Sequence, residues 1–294
     1  MKLSHVLLAI LLVAVWGFNF IAIQFGLQDL SPLMLCVVRF FLASIPLVFF
    51  IKRPQAPWRL IASYGLLTFA LQFLFLFWGM KAGVKPGLAG LLAQTQVFFS
   101  FFFAAFFLKE SFTRWQVMGA CIAFSGVMVV FANVGGDVSV PGFCLVLMAA
   151  ASWGAGNLIT KKMGPVDAMG LVVWASLFAF PPLLILCCFM EGPHQMWAAV
   201  QHISRQGMFA VVYIVYASTW LGYGIWNWLL GRYFIGTVVP FTFLVPIFAM
   251  IGSVVMFGES LQPWKIMAGL LVVLGLLINL FGARLARKLT ERGV

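Results

Sequence analysis

Long uninterrupted apolar segments constrain this chain more than any other feature of its sequence. A membrane-spanning helix needs about 20 mostly apolar residues. Ten stretches approach that length, at 3–25, 32–51, 60–80, 86–108, 115–132, 140–160, 168–189, 208–230, 237–257 and 263–283. Only 9% of the residues are charged, and no soluble fold of this size hides so much apolar surface. In the strands of a membrane β-barrel, apolar and polar residues alternate over about ten residues, whereas these segments are apolar throughout. The sequence therefore predicts an all-α integral membrane protein with ten transmembrane helices, spans 1 to 10.

The lysines and arginines are distributed unequally between the connecting loops. When the N-terminus is placed in the cytoplasm and the spans alternate, thirteen of the eighteen basic residues fall inside and four fall outside. The eighteenth, Arg39, lies within span 2. Because basic loops stay on the cytoplasmic side, this asymmetry predicts that both termini are cytoplasmic. The net charge of +11 thus has a topological cause, and no nucleic-acid partner is predicted.

The two halves of the sequence repeat one another. Residues 83–130 align with 232–279 without a gap, and Glu110-Ser111 falls on Glu259-Ser260. Each half holds five spans, an odd number, so the second half is inverted relative to the first. Inverted repeats are typical of alternating-access carriers, whose substrate site lies near the bilayer midplane between the halves. The two predicted five-helix repeats are residues 1–133 and 134–294.

Span 8 carries the clearest row of polar and aromatic side chains. Tyr213, Tyr216, Trp220, Tyr223 and Asn227 are spaced by 3, 4, 3 and 4 residues, which places them on one face of an α-helix. A row of aromatic rings with an amide suits a pocket for a small polar metabolite. The alternative is an ordinary packing seam between helices.

Further polar residues lie inside other spans. Asn19, Gln72, Gln94 and Asn157 are candidates for the translocation path, although amides also hydrogen-bond between helices for structural reasons. Arg39 is the one formal charge well inside a span, where it either binds a substrate carboxylate or holds helices together. The structural role is favoured because the neutral Trp174 occupies the matching place in the second half.

Motifs of enzymes and of ATP-driven pumps are missing from the sequence. It contains no Walker A loop, HExxH or GxSxG pattern, and its three histidines lie near the ends of the predicted spans or in the loops between them. No catalytic residue, cofactor or metal site is predicted. None of the seven acidic residues lies in the middle of a span, so coupling through a boundary carboxylate such as Glu110 or Glu259 stays open alongside uncoupled transport.

Several motifs resemble a known transporter family. Trp16-Gly17-Phe18-Asn19-Phe20, Arg39-Phe40, the Gly-Glu-Ser of 258–260 and the duplicated five-span unit are similar to the EamA family of the drug/metabolite transporter superfamily, over essentially the whole chain. Gly222-Tyr223-Gly224-Ile225-Trp226 is most similar to members that export O-acetylserine and cysteine.

The resemblance implies a secondary exporter of small amino-acid-like metabolites in the bacterial inner membrane. It also implies a central cavity between the halves, lined mainly by spans 1, 3, 4, 6, 8 and 9. Its partners are then a small-molecule substrate and membrane lipid, with no prediction of the oligomeric state. Other members export aromatic amino acids, purines or drugs, so another substrate class stays open. A lipid-facing role or a purely structural membrane protein are further alternatives.

Overall fold

A computed structural model describes residues 1–109, 114–133, 138–164, 166–230, 232 and 239–292. Within these ranges, the side chains at 108, 116, 223, 227, 230, 239, 240, 243, 276, 279, 280 and 283–292 fall outside the described set. The described ranges are helical and contain no strand, and the sequence prediction of an all-helical fold is confirmed.

The described residues form eleven helices. They are α1 (Leu3–Asp29), α2 (Pro32–Ser44, with a 3₁₀ turn at Leu47–Phe49), α3 (Trp58–Lys81), α4 (Pro86–Ala93 and Gln96–Leu108), α5 (Arg114–Ala132), α6 (Val140–Met163), α7 (Ala168–Met190), α8 (Gly192–Gln201), α9 (Arg205–Val212, Tyr213–Leu221 and Gly222–Leu230), α10 (Val239–Leu244 and Val245–Phe257) and α11 (Pro263–Arg292). Among them, α1, α2, α3, α4, α6 and α7 are long and apolar enough to cross a bilayer, and α5, α10 and α11 contain shorter apolar stretches. The short α8 buries none of its side chains.

Side-chain caps set where several helices begin. An oxygen of the N-cap side chain accepts a hydrogen bond from the backbone N–H three residues later, which satisfies a donor that the helix leaves open. The capping residues are Ser31 of α2, Ser139 of α6, Asp167 of α7 and Ser204 of α9. These polar caps separate one apolar segment from the next.

Four helices are interrupted at corresponding places in the two halves. α3 and α9 become π-helical at Gly65–Leu71 and Tyr213–Leu221. α4 breaks at Gln94 and Thr95, and α10 begins as a 3₁₀ helix before it becomes an α-helix. The regular segments Gln96–Leu108 and Val245–Phe257 are both 13 residues long and begin 149 residues apart (245 − 96). The sequence alignment of the halves has the same offset.

The packing of helices is also the same when the halves are exchanged. α1 packs against α9 and α10 of the second half, and α6 packs against α3 and α4 of the first half. The pairs α2 with α7, α4 with α10, and α5 with α11 join like positions of the two halves. Each half therefore uses its first helix to contact the third and fourth helices of the other half.

Glycines make these contacts between halves close. A Cβ built on Gly154 of α6 would lie 2.7 Å from Cβ of Phe99 and 2.9 Å from the backbone N of Ser100, both in α4. A Cβ on Gly17 of α1 would collide in the same way with Cβ of Phe248 in α10. Small residues allow helix backbones to approach closely in lipid. The sequence has the same dipeptide at both places, Trp16-Gly17 in α1 and Trp153-Gly154 in α6, and each marks the first helix of its half at its contact with the other half.

Candidate functional site

The middle of α9 is a π-helix that is fixed to α1. Thr219 Oγ1 donates to the carbonyl of Ile214, five residues earlier, at 2.8 Å. The indole Nε1 of Trp16 donates to the carbonyl of Ser218 at 3.0 Å. In a π-helix the backbone bonds span five residues rather than four, and such segments are frequent at functional sites. Here the widened turn offers a backbone carbonyl to a side chain from the other half of the chain.

The aromatic residues of α9 do not all face the same neighbour. The rings of Tyr216 and Trp220 are in edge-to-face contact with centroids 4.7 Å apart. Trp220 donates its Nε1–H to the carbonyl of Ala43 near the end of α2 at 3.2 Å, whereas Tyr213 donates its hydroxyl to the carbonyl of Val15 in α1 at 2.9 Å. Because a π turn contains more residues than an α turn, the spacing of 3 and 4 no longer keeps Tyr213 on the face of Trp220.

Two further residues of the predicted row, Tyr223 and Asn227, belong to the last segment of α9, Gly222–Leu230. Their side chains lie outside the described residues. This segment begins where a Cβ on Gly222 would approach Trp16 Nε1 to 2.6 Å, and the rings of Trp16 and Trp226 lie 5.4 Å apart. The end of α9 is therefore also packed on α1.

The π-helical segment of α3 leads into a second group of buried polar residues. Thr68 is 1% exposed and Gln72 is 7% exposed. Within the described part of the chain, neither Thr68 Oγ1 nor Gln72 Oε1 has a hydrogen-bond partner. A Cβ on Gly156 of α6 would overlap Thr68 Oγ1, so α6 lies directly on this face. Buried acceptors without partners are rare in proteins and mark places where a ligand or water completes the bonding.

Asn19 and Asn157, which match in the two halves, have different surroundings. Asn157 Nδ2 donates to Gln96 Oε1 and to Ser100 Oγ, both at 2.9 Å, and joins α6 to α4. Asn19 in α1 is 7% exposed, and its Oδ1 has no partner among the described residues. At the offset of 149, the counterparts of Gln96 and Ser100 are Val245 and Ala249, which are apolar. The contact of α6 with α4 thus holds a polar cluster around Asn157, whereas the equivalent contact of α1 with α10 leaves the amide oxygen of Asn19 open.

Gln94 lies at the break of α4. It is 6% exposed. Around it, the backbone N–H groups of Gln94 and Thr95 donate to the carbonyls three residues earlier, those of Leu91 and Leu92. Thr95 Oγ1 also donates to the carbonyl of Leu92 at 2.6 Å. The interruption leaves the polar side chain buried next to irregular backbone, an arrangement that membrane proteins tolerate where the backbone is covered by protein or lines a cavity.

Arg39 is buried at the meeting point of α2, α3 and α9. It is 3% exposed, and its Nη2 donates to Thr219 Oγ1 at 3.3 Å. Its guanidinium carbon lies 3.7 Å from the centroid of the Phe73 ring, within the range of a cation–π interaction. These contacts join three helices and support the structural alternative for Arg39.

A buried ion pair, which was not predicted from the sequence, lies between α10 and α11. Lys265 Nζ lies 3.2 Å from Glu259 Oε1 and 3.1 Å from the carbonyl of Ser260, and Ser253 Oγ donates to Glu259 Oε2. Glu259 is 6% exposed and Lys265 is 1% exposed. Lys265 entered the topology prediction only as one of the four basic residues that fall outside. The sequence does place two opposite charges, Glu259 and Lys265, six residues apart between two apolar segments, and this pattern could have indicated the ion pair.

An apolar groove of about 260 Å³ runs between α1, α9 and α10. Phe18, Phe25, Ile251 and Val255 are among its lining residues. The one hydroxyl in its lining belongs to Tyr213, and that hydroxyl is already bonded to Val15. This groove therefore suits lipid chains rather than a polar metabolite.

Apolar helices with closely packed glycines, interrupted backbones and buried amides define a multi-pass membrane protein of the transporter class. The chain belongs to the EamA-like transporter family, whose model matches residues 3–132 and again residues 140–281. The resemblance stated from the sequence is therefore confirmed.

Relatives cover nearly the whole chain. A Salmonella typhimurium protein named "Probable amino-acid metabolite efflux pump" is 39% identical over 95% of this chain and 96% of its own length. An Escherichia coli protein of the same name is 36% identical over 94% and 95%. A Streptantibioticus cattleyicolor protein named "Probable terminal-alkyne amino-acid exporter" is 27% identical over 95% and 94%. A solved crystal structure with 19% identity covers 98% of this chain and 99% of its own, with a TM-score of 0.65, which shows the shared fold alone.

Proposed function

We propose that this protein is a secondary exporter of small amino-acid-like metabolites, of the O-acetylserine and cysteine type, which works by alternating access in the bacterial inner membrane. Family membership supports transport, and the names of the relatives at 39% and 36% identity support an amino-acid metabolite as the substrate. The relative named as an exporter of an amino acid supports the outward direction. The lack of nucleotide-binding motifs in the sequence supports secondary rather than ATP-driven transport.

The proposal includes ten transmembrane helices in two inverted repeats, residues 1–133 and 134–294. The ten helices are α1 to α7 and α9 to α11, with α8 outside the bundle. The constant offset of helix bounds, the exchange symmetry of the packing and the two separate matches of the family model support this division. The unequal distribution of basic residues supports cytoplasmic N- and C-termini.

The observation that carries the proposal is the matched interruption of four helices. In transporters with repeats, the substrate site is commonly built where discontinuous helices meet near the midplane. Here α3 and α9 are π-helical and α4 and α10 are broken, at corresponding places in the two halves. α1 and α6 each contact two of these helices from the opposite half. Rocking one half against the other around these contacts would expose the same site first to one side of the membrane and then to the other.

The proposed translocation path follows the buried polar residues of those helices. Its members are Asn19, Gln72, Gln94, Asn157, Tyr216, Trp220, Tyr223 and Asn227. Amides and aromatic rings offer both donors and acceptors without a formal charge, which suits a net-neutral amino acid. Arg39 is proposed as a structural residue beside this path. Its contacts with Thr219 and Phe73 support that role.

Efflux from proteoliposomes tests the proposal. Purified protein is reconstituted with labelled cysteine or O-acetylserine inside, with and without an imposed pH gradient. Saturable flux is expected, and its dependence on the gradient separates a coupled exporter from a facilitator or exchanger. Folded protein that gives no flux above empty liposomes would refute these two substrates and direct the search to aromatic amino acids, purines and lipids.

The path itself is tested with a matched pair of variants. Asn157→Leu removes the bonds to Gln96 and Ser100 and, in this proposal, a bond to a charged group of the substrate. Loss of one such bond, about 1.5 kcal/mol, is expected to lower flux about tenfold. Asn133→Leu makes the same change at the end of α5, where the amide bonds only to the carbonyl of Val129 among described residues. Equal flux in the two variants would contradict the assignment of Asn157.

A further inference from the structure

A second cavity, whose lining includes polar side chains but none of the proposed path residues, lies at the end of the bundle where α1 and α3 end. Its volume is about 220 Å³, and we name it the Glu259 cavity. It lies between the turn that joins α3 to α4 and the turn that follows α10. Both turns contain a glycine with positive φ, Gly83 at 109° and Gly258 at 63°, a conformation that other residues rarely adopt. These glycines shape the backbone on two sides of the cavity.

One wall of the cavity is the buried carboxylate of Glu259. Its two oxygens accept from Ser253 and from Lys265, and both charged side chains are more than nine-tenths buried. A carboxylate has about four lone-pair positions, and these two bonds leave others available. Glu259 is thus held rigidly by its neighbours while it still offers an acceptor toward the cavity that it lines.

The cavity presents one further acceptor and one further cation. Gln24 of α1 lines it, and the Oε1 atom of Gln24 is fully buried with no hydrogen-bond partner in the described part of the protein. A buried acceptor in this condition costs free energy unless something donates to it. Lys85, at the start of α4, lines the cavity as well and brings an ammonium group.

The arrangement selects for a ligand with both charges. A simple amine would face the positive charge of Lys85, and a simple anion would leave the acceptors of Gln24 and Glu259 facing a negative group. A zwitterion places its ammonium on Gln24 and Glu259 and its carboxylate on Lys85. Apolar side chains complete the lining, and the volume equals that of about seven water molecules at ~30 Å³ each, which leaves room for a small side chain. The apolar lining residues are Met80, Val84, Pro86 and Phe257.

We infer that the Glu259 cavity binds a small zwitterionic amino acid, through residues that are not members of the proposed translocation path. The identity of that amino acid rests on the proposed export function. The sequence does not repeat this site at the corresponding place in the other half. At the offset of 149, Ser253 and Lys265 correspond to Ala104 and Gln116, which cannot form the same buried charge cluster. In the proposed topology, this end faces the periplasm, so the site would sense the exported product.

Isothermal titration of the detergent-purified full chain tests the inference. The protein carries Asn157→Leu so that the path contributes little binding, and the probes are L-cysteine and O-acetyl-L-serine. Adding Gln24→Leu is expected to raise the Kd about tenfold, because it removes the acceptor for the ammonium group. Lys85→Gln, on the opposite side, is expected to weaken binding through the carboxylate. Gln28→Leu changes an exposed residue on the same helix and is the matched control.

Two analogues of cysteine test whether the ligand must carry both an ammonium group and a carboxylate. Cysteamine lacks the carboxylate and 3-mercaptopropionate lacks the ammonium group, so both are expected to bind more weakly than cysteine by at least about tenfold. Equal binding by either analogue, or an unchanged Kd in Gln24→Leu, would overturn the inference. If the wild-type protein gives no flux but Gln24→Leu weakens binding, the export function is refuted and the site is supported. If the wild-type protein gives flux but Gln24→Leu leaves binding unchanged, the export function is supported and the site is refuted.

Discussion

Gly154→Ala is expected to destabilise the contact between α6 and α4. The new Cβ would lie 2.7 Å from Cβ of Phe99 and 2.9 Å from the backbone N of Ser100. Neither atom can move by rotation of a side chain, so one helix must shift relative to the other. Overpacking of this kind costs about 1–3 kcal/mol. Alanine also gains about 1 kcal/mol over glycine in helix propensity, which masks part of this loss.

Gly269→Ala is the control for the gain in helix propensity that any glycine-to-alanine change in a helix brings. Gly269 lies inside α11, and among described atoms its Cβ would meet only Sδ of Met250 at 4.0 Å. The difference between the two variants therefore isolates the packing cost, about 1–3 kcal/mol. Gly17→Ala, which meets α10 in the equivalent place, is expected to lose a similar amount.

The measurement is the unfolding free energy in mixed micelles, obtained by titration with a denaturing detergent, together with flux in proteoliposomes. Gly154→Ala is expected to lose both stability and flux, because α6 no longer sits closely on α4. If Gly154→Ala and Gly269→Ala have the same unfolding free energy, the contact between the halves is looser than described, and the reasoning fails.

Other substitutions have expected results of their own. Thr68→Val removes a buried hydroxyl without a described partner and keeps its shape, so thermal unfolding in detergent should show equal or higher stability; a clear loss would reveal a bond to Oγ1. Lys265→Met leaves Glu259 buried and unpaired and should cost about 3–5 kcal/mol in detergent unfolding, with recovery in the double variant Glu259→Gln/Lys265→Met; no recovery would show that the pair does not act as a unit. Lys109→Gly should stabilise and Gly258→Ala destabilise by about 1 kcal/mol each, since both positions are left-handed with φ near 60°; shifts of the same sign in the two melting temperatures would refute this.

Much of the fold could be predicted because a bilayer fixes the length of its apolar segments. The stretches expected at 115–132 and 140–160 form the helices Arg114–Ala132 and Val140–Met163. The offset of 149 between the halves also follows from the sequence, since Glu-Ser and Trp recur at that interval. Six helices meet the length and hydropathy expected of a span, and two of them, α3 and α4, contain interruptions that only the structure reveals.

The candidate site was less predictable, for two physical reasons. A π-helical turn has no simple sequence pattern, so the α-helical spacing of Tyr213, Tyr216 and Trp220 gave a single face that the backbone does not preserve. The surroundings of Asn19 and Asn157 depend on which helix each one meets, and the two neighbours differ in polarity. Periodicity identifies residues that face the interior, but the partner across the interface decides what each residue does there.

The contact between α5 and α11 has the form of an isologous interface. A Cβ on Gly126 of α5 would lie 2.8 Å from the carbonyl of Ala268 in α11, and a Cβ on Gly275 of α11 would meet Gly119 and Ala123 of α5 just as closely. Gly275 and Ala268 are the counterparts of Gly126 and Gly119 at the offset of 149. The contact of Gly126 with Ala268 is therefore repeated, with the two helices exchanged, by the contact of Gly275 with Gly119. A surface of this kind is self-complementary. A half-length chain that carried it would already be able to pair with an upside-down copy of itself, and joining the halves in one chain fixes that pairing without adding a new contact.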